Sequence, residues 1–306
     1  MIEEDDDPVA DGQDEYEEQY SAEVLEEAAL DEDEDSDDSD EDSDDDSEDE
    51  EGGQSADEAE LGTVSSRTKK EKLADEEPPG PDVPPPPVKK MLVALEWAFQ
   101  EEPDVPEGLL QRYAEHAVMV LAHNRKVNLT AILDPKEVAA KHYLDSYRVT
   151  RLFSLLGRRV VDMGCGGGFP GVPIAMAEPN CSMMLVDSTK KKTDFVEQSI
   201  AKLKVKNAHS HWGRVEDYLA RERCDVVVVR AVSSVRENVR TLRKVRHSLK
   251  DLIMLKGSSW SREVRAAERE AERLGFHLDT VLEHQLPEEL GARAVLVYRA
   301  PGGQGL

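Results

Sequence analysis

Five glycines fall within eight positions in "VVDMGCGGGFPG" (Val160 to Gly171), directly after a short β-branched run. A stretch this poor in side chains cannot sit inside a helix or strand without cost, but it suits a turn. Glycine adopts positive φ freely and lets another molecule approach the backbone. A hydrophobic strand running into such a turn therefore points to a nucleotide-type ligand at the end of a first strand. Several folds share that much.

Spacing separates them. A triphosphate-binding loop needs Lys-Ser or Lys-Thr after its last glycine, and neither follows here. A dinucleotide fingerprint G-x-G-x-x-G counted from Gly164 and Gly166 requires glycine at position 169, where Phe169 stands. What remains is D-x-G-x-G-x-G, Asp162 to Gly168.

The rest of the chain supplies a frame for that turn. After Arg159, short β-branched runs alternate with amphipathic stretches. Strands are expected at Arg159–Met163, Ser182–Asp187, Ala208–His211, Asp225–Arg230, Asp251–Lys256, His277–Glu283 and Ala294–Tyr298. Helices are expected at Gly171–Ala177, Lys190–Leu203, Val235–Ser248 and Trp260–Leu274. Such alternation specifies a doubly wound α/β sheet, mostly parallel, and the last two strands, with no helix between them, form an antiparallel edge. Upstream, Leu109, Leu110, Tyr113, Ala117, Val120 and Leu121 share one helical stripe, and a second helix fits Pro135 to Arg148, giving a small helical extension over about 91–150.

Charge divides the chain before the fold begins. The net charge of −28 belongs to residues 1–60, which hold 33 Asp and Glu and no Lys or Arg. Residues 61–306 carry 38 basic and 33 acidic residues, a net of +5. Residues 1–88, with their acidic runs and the proline-rich spacer "PPGPDVPPPPVKK" (Pro78 to Lys90), are expected to be a disordered tail, because too little apolar surface is available to offset ordering. The tail solubilises the chain, competes with RNA for basic surface, or meets a basic partner. The folded body spans 89–306. No window is apolar enough for a membrane span, the acidic N-terminus resembles no signal or transit peptide, and Cys165, Cys181 and Cys224 are too scattered for a disulfide framework or zinc site. A cytoplasmic, monomeric protein with no metal and no membrane partner is expected.

The strand ends carry the chemistry. Asp187, 23 residues after Gly164, ends the second strand, where a carboxylate accepts both hydroxyls of an adenosine ribose; the competing role is an N-cap for the next helix. The fourth strand ends in "VVRAVSS" (Val228 to Ser234), without the [DN]-P-P-[YFW] that holds an amine acceptor, and Cys224 lies at the wrong end of it to be a nucleophile. His142 and Asp145 share a helical face, with structural and functional roles for His142 equally open. "STKKKTD" and "RTLRKVRHSLK" offer either phosphate contacts or a solvated helix face.

D-x-G-x-G-x-G resembles motif I of class I S-adenosylmethionine-dependent methyltransferases. Together with "LVDSTKKKTDFV", "GRVEDY", "VVRAVSSV", "LIMLKG", "NRKVNLTAI" and "KHYLDSY", in order, it is similar to the RsmG family (glucose-inhibited division protein B), over about 91–300. His123 stands where that family has a Trp. The resemblance implies a class I methyltransferase Rossmann-like fold and transfer of a methyl group to N7 of a guanine in 16S (small-subunit) rRNA. The alternative is a small molecule or protein as acceptor. It also implies S-adenosyl-L-methionine held by Gly164, Gly166, Gly168, Phe169, Asp187, Val215, Glu216 and Arg230. Arg230, Lys256, His142 and Asp145 are the implied active-site residues, and the assembling small-subunit ribonucleoprotein is the implied partner. Guanine N7 has a free lone pair and loses no proton on attack, so a dedicated general base is not expected.

Overall fold

The computed structural model describes residues 80–303. Most of the acidic tail expected over 1–88 therefore lies outside the described residues. The end of the proline-rich spacer does not: Gly80 lies so close to Asn124 that an added Cβ would come within 2.0 Å of the Asn124 carbonyl oxygen. Asp82 also pairs with Arg125. The spacer therefore docks on the body before the first helix begins.

The helical layer consists of α1 (Val88–Phe99), α2 (Leu109–His123), α3 (Pro135–Val138), a π-helical turn (Ala139–Leu144) and α4 (Asp145–Leu152). α1 was not among the expected helices. Its buried Met91, Ala94, Leu95, Ala98 and Phe99 follow helical spacing, and Phe99 packs its ring 5.2 Å from that of Tyr147. Asp134 caps α3 by accepting from the Lys136 and Glu137 amides, and Pro135 takes the first helical position. His123, at the end of α2, stacks on Phe195 with ring centroids 4.8 Å apart, so an imidazole fills the aromatic position there.

The sheet alternates β1 (Arg159–Met163), α5 (Gly171–Ala177), β2 (Ser182–Asp187), α6 (Lys190–Lys202), β3 (Ala208–Trp212), α7 (Val215–Leu219), β4 (Val226–Arg230), α8 (Val235–Leu242), β5 (Asp251–Gly257), α9 (Trp260–Arg273), β6 (His277–Gln285) and β7 (Ala292–Arg299). The spatial order is β3-β2-β1-β4-β5-β7-β6. β1 to β5 are parallel, and β7 runs antiparallel to both β5 and β6. β7 thus enters between β5 and β6 instead of extending a simple edge. This is the class I methyltransferase arrangement.

β4 shows why the sheet is central. Val226 and Val228 join one apolar cluster, with α1 to α6, while Val227 and Val229 join the other, with α7 to α9. A strand with both faces covered reads as an unbroken apolar run. The helix expected over Val235–Ser248 stops at Leu242 and gives way to a 3₁₀ turn at Arg246–Ser248. The chain has to turn back there, because the Ser248 carbonyl accepts from Cys224 N at the start of β4. All three cysteines are buried and unbridged, and burial pushes the Cys224 thiol up to about 12. Among the described residues no helix is long and apolar enough to cross a membrane.

Candidate active site

The strand order reverses between β1 and β4, and a cleft opens at their carboxyl ends, where ligands bind in such sheets. A cavity of about 730 Å³ lies there, lined by Gly164 to Gly167, Phe169, Asp187, Gly213, Val215, Glu216 and Arg230 among others. Every residue expected to hold the cofactor lines it except Gly168. Gly168 (φ +93°) instead packs on Val172, 2.7 Å from an added Cβ, so it shapes the turn from behind.

The turn is held by backbone bonds. Gly164 N and Cys165 N both donate to Val186 O, at 2.8 and 3.1 Å, which locks the loop to the end of β2. Asp187 Oδ2 accepts from Gly166 N at 2.9 Å and Oδ1 from Thr189 N at 2.9 Å. These bonds fix the carboxylate at the cavity wall with lone pairs to spare. Asp187 is not the helix cap; that position is Thr189.

A glycine-poor element completes the wall beside the turn. Buried Asn124 accepts from Leu129 N and Thr130 N, at 2.7 and 2.8 Å, and donates to Thr130 O at 3.0 Å. This folds the "NRKVNLTAI" loop so that Leu129, Thr130 and Ile132 face the cavity. Their place in the site had no sequence signal beyond the motif itself.

Phe169 is the hub. It is buried, with the His142 ring stacked on it at 4.5 Å and the Arg230 guanidinium 5.1 Å from its centroid. Arg230 Nη1 donates to Lys141 O at 2.6 Å. Burial lowers the Arg230 pKa while Asp145 and Asp162 raise it, and an arginine so placed stays charged. His142 shares a 2.8 Å hydrogen bond with the Thr130 hydroxyl, and burial together with Arg230 pulls its pKa well down, leaving a neutral imidazole.

A second cavity of about 510 Å³ adjoins the first, sharing Ile132, His142, Arg230 and Ala231 with it. Asp145, Lys256, Glu263 and Arg293 line it as well, so the four implied active-site residues meet here. Two of them are committed to the protein. Lys256 Nζ donates to Ser233 O at 2.5 Å and pairs with Glu263 at 2.9 Å, while Glu263 also accepts from Val235 N. Lys256 thereby holds the strand-four loop, in which Ala231 has φ +55°. Asp145 accepts from His284 Nε2 at 3.2 Å and lies 3.9 Å from Arg293, tying α4 to β6 and β7.

Asp162 was not among the expected site residues. It is fully buried, accepts from Gly171 N at 2.8 Å, and leaves Oδ1 without a partner. Burial raises its pKa to about 7. The native state therefore keeps a proton that the unfolded chain releases near pH 4, and stability falls as pH rises from there to about 7. Asp162→Asn removes this slope at the fixed cost of an unpaired amide. In urea unfolding of the cofactor-free protein, the variant should gain on wild type by roughly 3 kcal/mol between pH 5 and pH 8. A difference independent of pH would mean that Asp162 is ionised throughout.

The two basic clusters part ways. Arg240 is tied to Glu270 and Lys250 to Asp225, each at 2.7 Å, so the two ends of "RTLRKVRHSLK" are internally paired, while Arg243 and Lys244 between them are exposed. Lys192 of "STKKKTD" lines the first cavity, and Lys190 and Lys191 are exposed beside it.

Residues 108–290 match the family model described as rRNA small subunit methyltransferase G (GidB). The ribosomal RNA small subunit methyltransferase G of Solibacter usitatus is 35% identical over 199 residues, covering 64% of this chain and 94% of the relative. The protein of the same name from Desulforamulus reducens is 31% identical over 215 residues, covering 68% and 90%. With the sheet order, the glycine turn and the strand-end residues in place, the chain belongs to the rRNA small subunit methyltransferase G family.

Proposed function

We propose that this protein is an S-adenosylmethionine-dependent methyltransferase that methylates N7 of a guanine in 16S rRNA. The first cavity receives the methyl donor and the second receives the guanine. The observation that carries this reading is the adjoining pair of cavities, which share Arg230 and His142, with Phe169 of the first cavity packed against both. The residues fit the donor. The loop brings bare backbone to the cavity, Asp187 offers a fixed acceptor for ribose hydroxyls, and Arg230 offers a fork for a carboxylate. When bound, the cofactor supplies an activated methyl group.

The chain's own residues position the reactants and exclude water. Phe169, lining the first cavity, and His142, shared by both, stack as an uncharged aromatic wall, and Arg230 is held against them from Lys141. No group is asked to remove a proton from the acceptor atom, in keeping with a neutral His142 and a Lys256 engaged by Glu263. The acceptor is small-subunit rRNA or its assembling ribonucleoprotein, and the setting that follows is the cytoplasm.

Mass mapping of small-subunit rRNA from cells with and without the protein should show one N7-methylguanine that depends on it. Protein-dependent methylation of another atom or base would reject the assignment.

A further inference from the structure

Trp212 ends β3, the edge strand, opposite Asp187, and is 57% exposed. Its ring is nonetheless fixed: indole Nε1 donates to Ser188 O at 3.0 Å. Ser188 and Gly213, the residue after Trp212, both line the first cavity, whereas the indole itself does not. The ring thus stands at the rim, hydrogen-bonded along one edge, with much of its surface turned to solvent. A single exposed side chain is ordinary by itself; what sets this one apart is that its orientation is fixed and that cations accompany it.

Exposed cations flank it in the chain. Lys190 and Lys191 at the start of α6, and Arg214 after β3, are exposed, and Arg214 lines the first cavity together with Thr189 and Lys192, which flank the two lysines. Lys190 pairs with Asp194, but both side chains are more than half exposed, so a phosphate can displace that pair at little cost. A pinned aromatic face among cations is how single-stranded nucleic acid is held without base-specific hydrogen bonds.

We propose that Trp212 is a stacking platform for an unpaired base of the RNA substrate near the target guanine, with Lys190, Lys191 and Arg214 taking adjacent phosphates. The proposal rests on the rRNA reading above. Reach supports it: β3 and β5 are four strand positions apart, roughly 19 Å along the carboxyl edge, a distance that neighbouring nucleotides of a base in the second cavity can span. The indole does not line the first cavity, whereas its neighbours Ser188 and Gly213 do, so the ring is assigned to the RNA and not to the cofactor.

The experiment uses the full chain, unmethylated small-subunit particles and saturating S-adenosylmethionine. Trp212→Ala should raise the KM for particles by roughly 5- to 100-fold, the worth of one base stack, with kcat and cofactor Kd changed by less than about twofold. Trp212→Phe should recover most of the loss. In filter binding with S-adenosylhomocysteine present, Trp212→Ala should leave the salt dependence unaltered. Alanine at Lys190 or Lys191 should instead reduce the log–log salt slope by about 0.7 each. An unchanged particle KM in Trp212→Ala, or a matching loss of cofactor affinity, overturns the platform. Wild-type protein that leaves guanine N7 unmodified overturns the rRNA reading instead, and that arm is read before any variant.

Discussion

Replacing Arg230 with alanine should lower single-turnover methylation of small-subunit rRNA by roughly 10²- to 10⁴-fold without unfolding the protein. The guanidinium forms part of the wall between two cavities and is held by Lys141 O at 2.6 Å and by the face of Phe169. Its removal deletes a desolvated positive charge and lets water into the junction. The fold should survive, because β4 is anchored by the buried Val226 to Val229 and Arg230 lies only at its end. Arg230→Lys keeps the charge but loses the planar fork, so an intermediate rate is expected. Between pH 6.5 and 8.5 the wild-type chemical step should be nearly flat. His142 is held neutral by burial, and N7 has no proton to lose. Asp162, the acid pushed to about 7, lines neither cavity and reaches Arg230 only through its charge, so its titration should appear in stability far more than in the rate. A steep limb near neutrality that vanishes in a single Asp, Glu or His variant would refute this mechanism.

What was legible in the sequence follows from how local each feature is. β4 could be read from "VVVV" because burial on both faces leaves no polar alternation to find. The Gly164–Gly168 turn and Asp187 could be read because each lies at a strand end, and a strand end is set by a few adjacent residues. α1 was hidden by its neighbours. Pro84 to Pro87 give the segment the composition of a linker, although Met91, Leu95 and Phe99 carry the helical spacing. In fact Pro87 ends the spacer at the helix N-cap.

The second cavity was legible in its members but not in their partners. Lys256 sits at a strand end as expected, but its commitment to Ser233 and Glu263 depends on how α9 packs over the strand-four loop. Asp145 meets His284 across 139 residues of chain, and no periodicity encodes such a pairing. The same limit applies to Arg236 and Arg240, which look available for phosphate until Glu270 is brought beside them by the packing of α8 against α9. Residue type shows what a side chain could do; tertiary pairing decides which groups remain available.

Gly164→Val is expected to weaken S-adenosylmethionine binding at least 100-fold, on the order of 3 kcal/mol, in a protein that still folds. Gly164 has φ +72°, where a β-branched residue is strained, and an added Cβ would lie 2.7 Å from Val232 Cγ2. Relief requires moving either the loop or the segment after Arg230, and both are walls of the first cavity. Moving the loop also breaks the bonds from Gly164 N and Cys165 N to Val186 O and shifts Gly166 N away from Asp187. One substitution therefore disturbs the backbone cradle and the Asp187 carboxylate together. Gly166→Ala is the informative contrast. Its φ is +53°, but an added Cβ meets no protein atom within 4 Å, so the protein bears only the strain of about 1–2 kcal/mol for a left-handed residue. A large loss of affinity there, with little change in melting temperature, would report contact with the ligand itself. Asp187→Ala should weaken binding less than Gly164→Val, and excess cofactor should restore much of its rate. Titration calorimetry with S-adenosylmethionine, its demethylated product and NAD checks all three variants. Wild-type affinity in Gly164→Val, or comparable NAD binding by the unaltered protein, would show that the glycine turn holds something else.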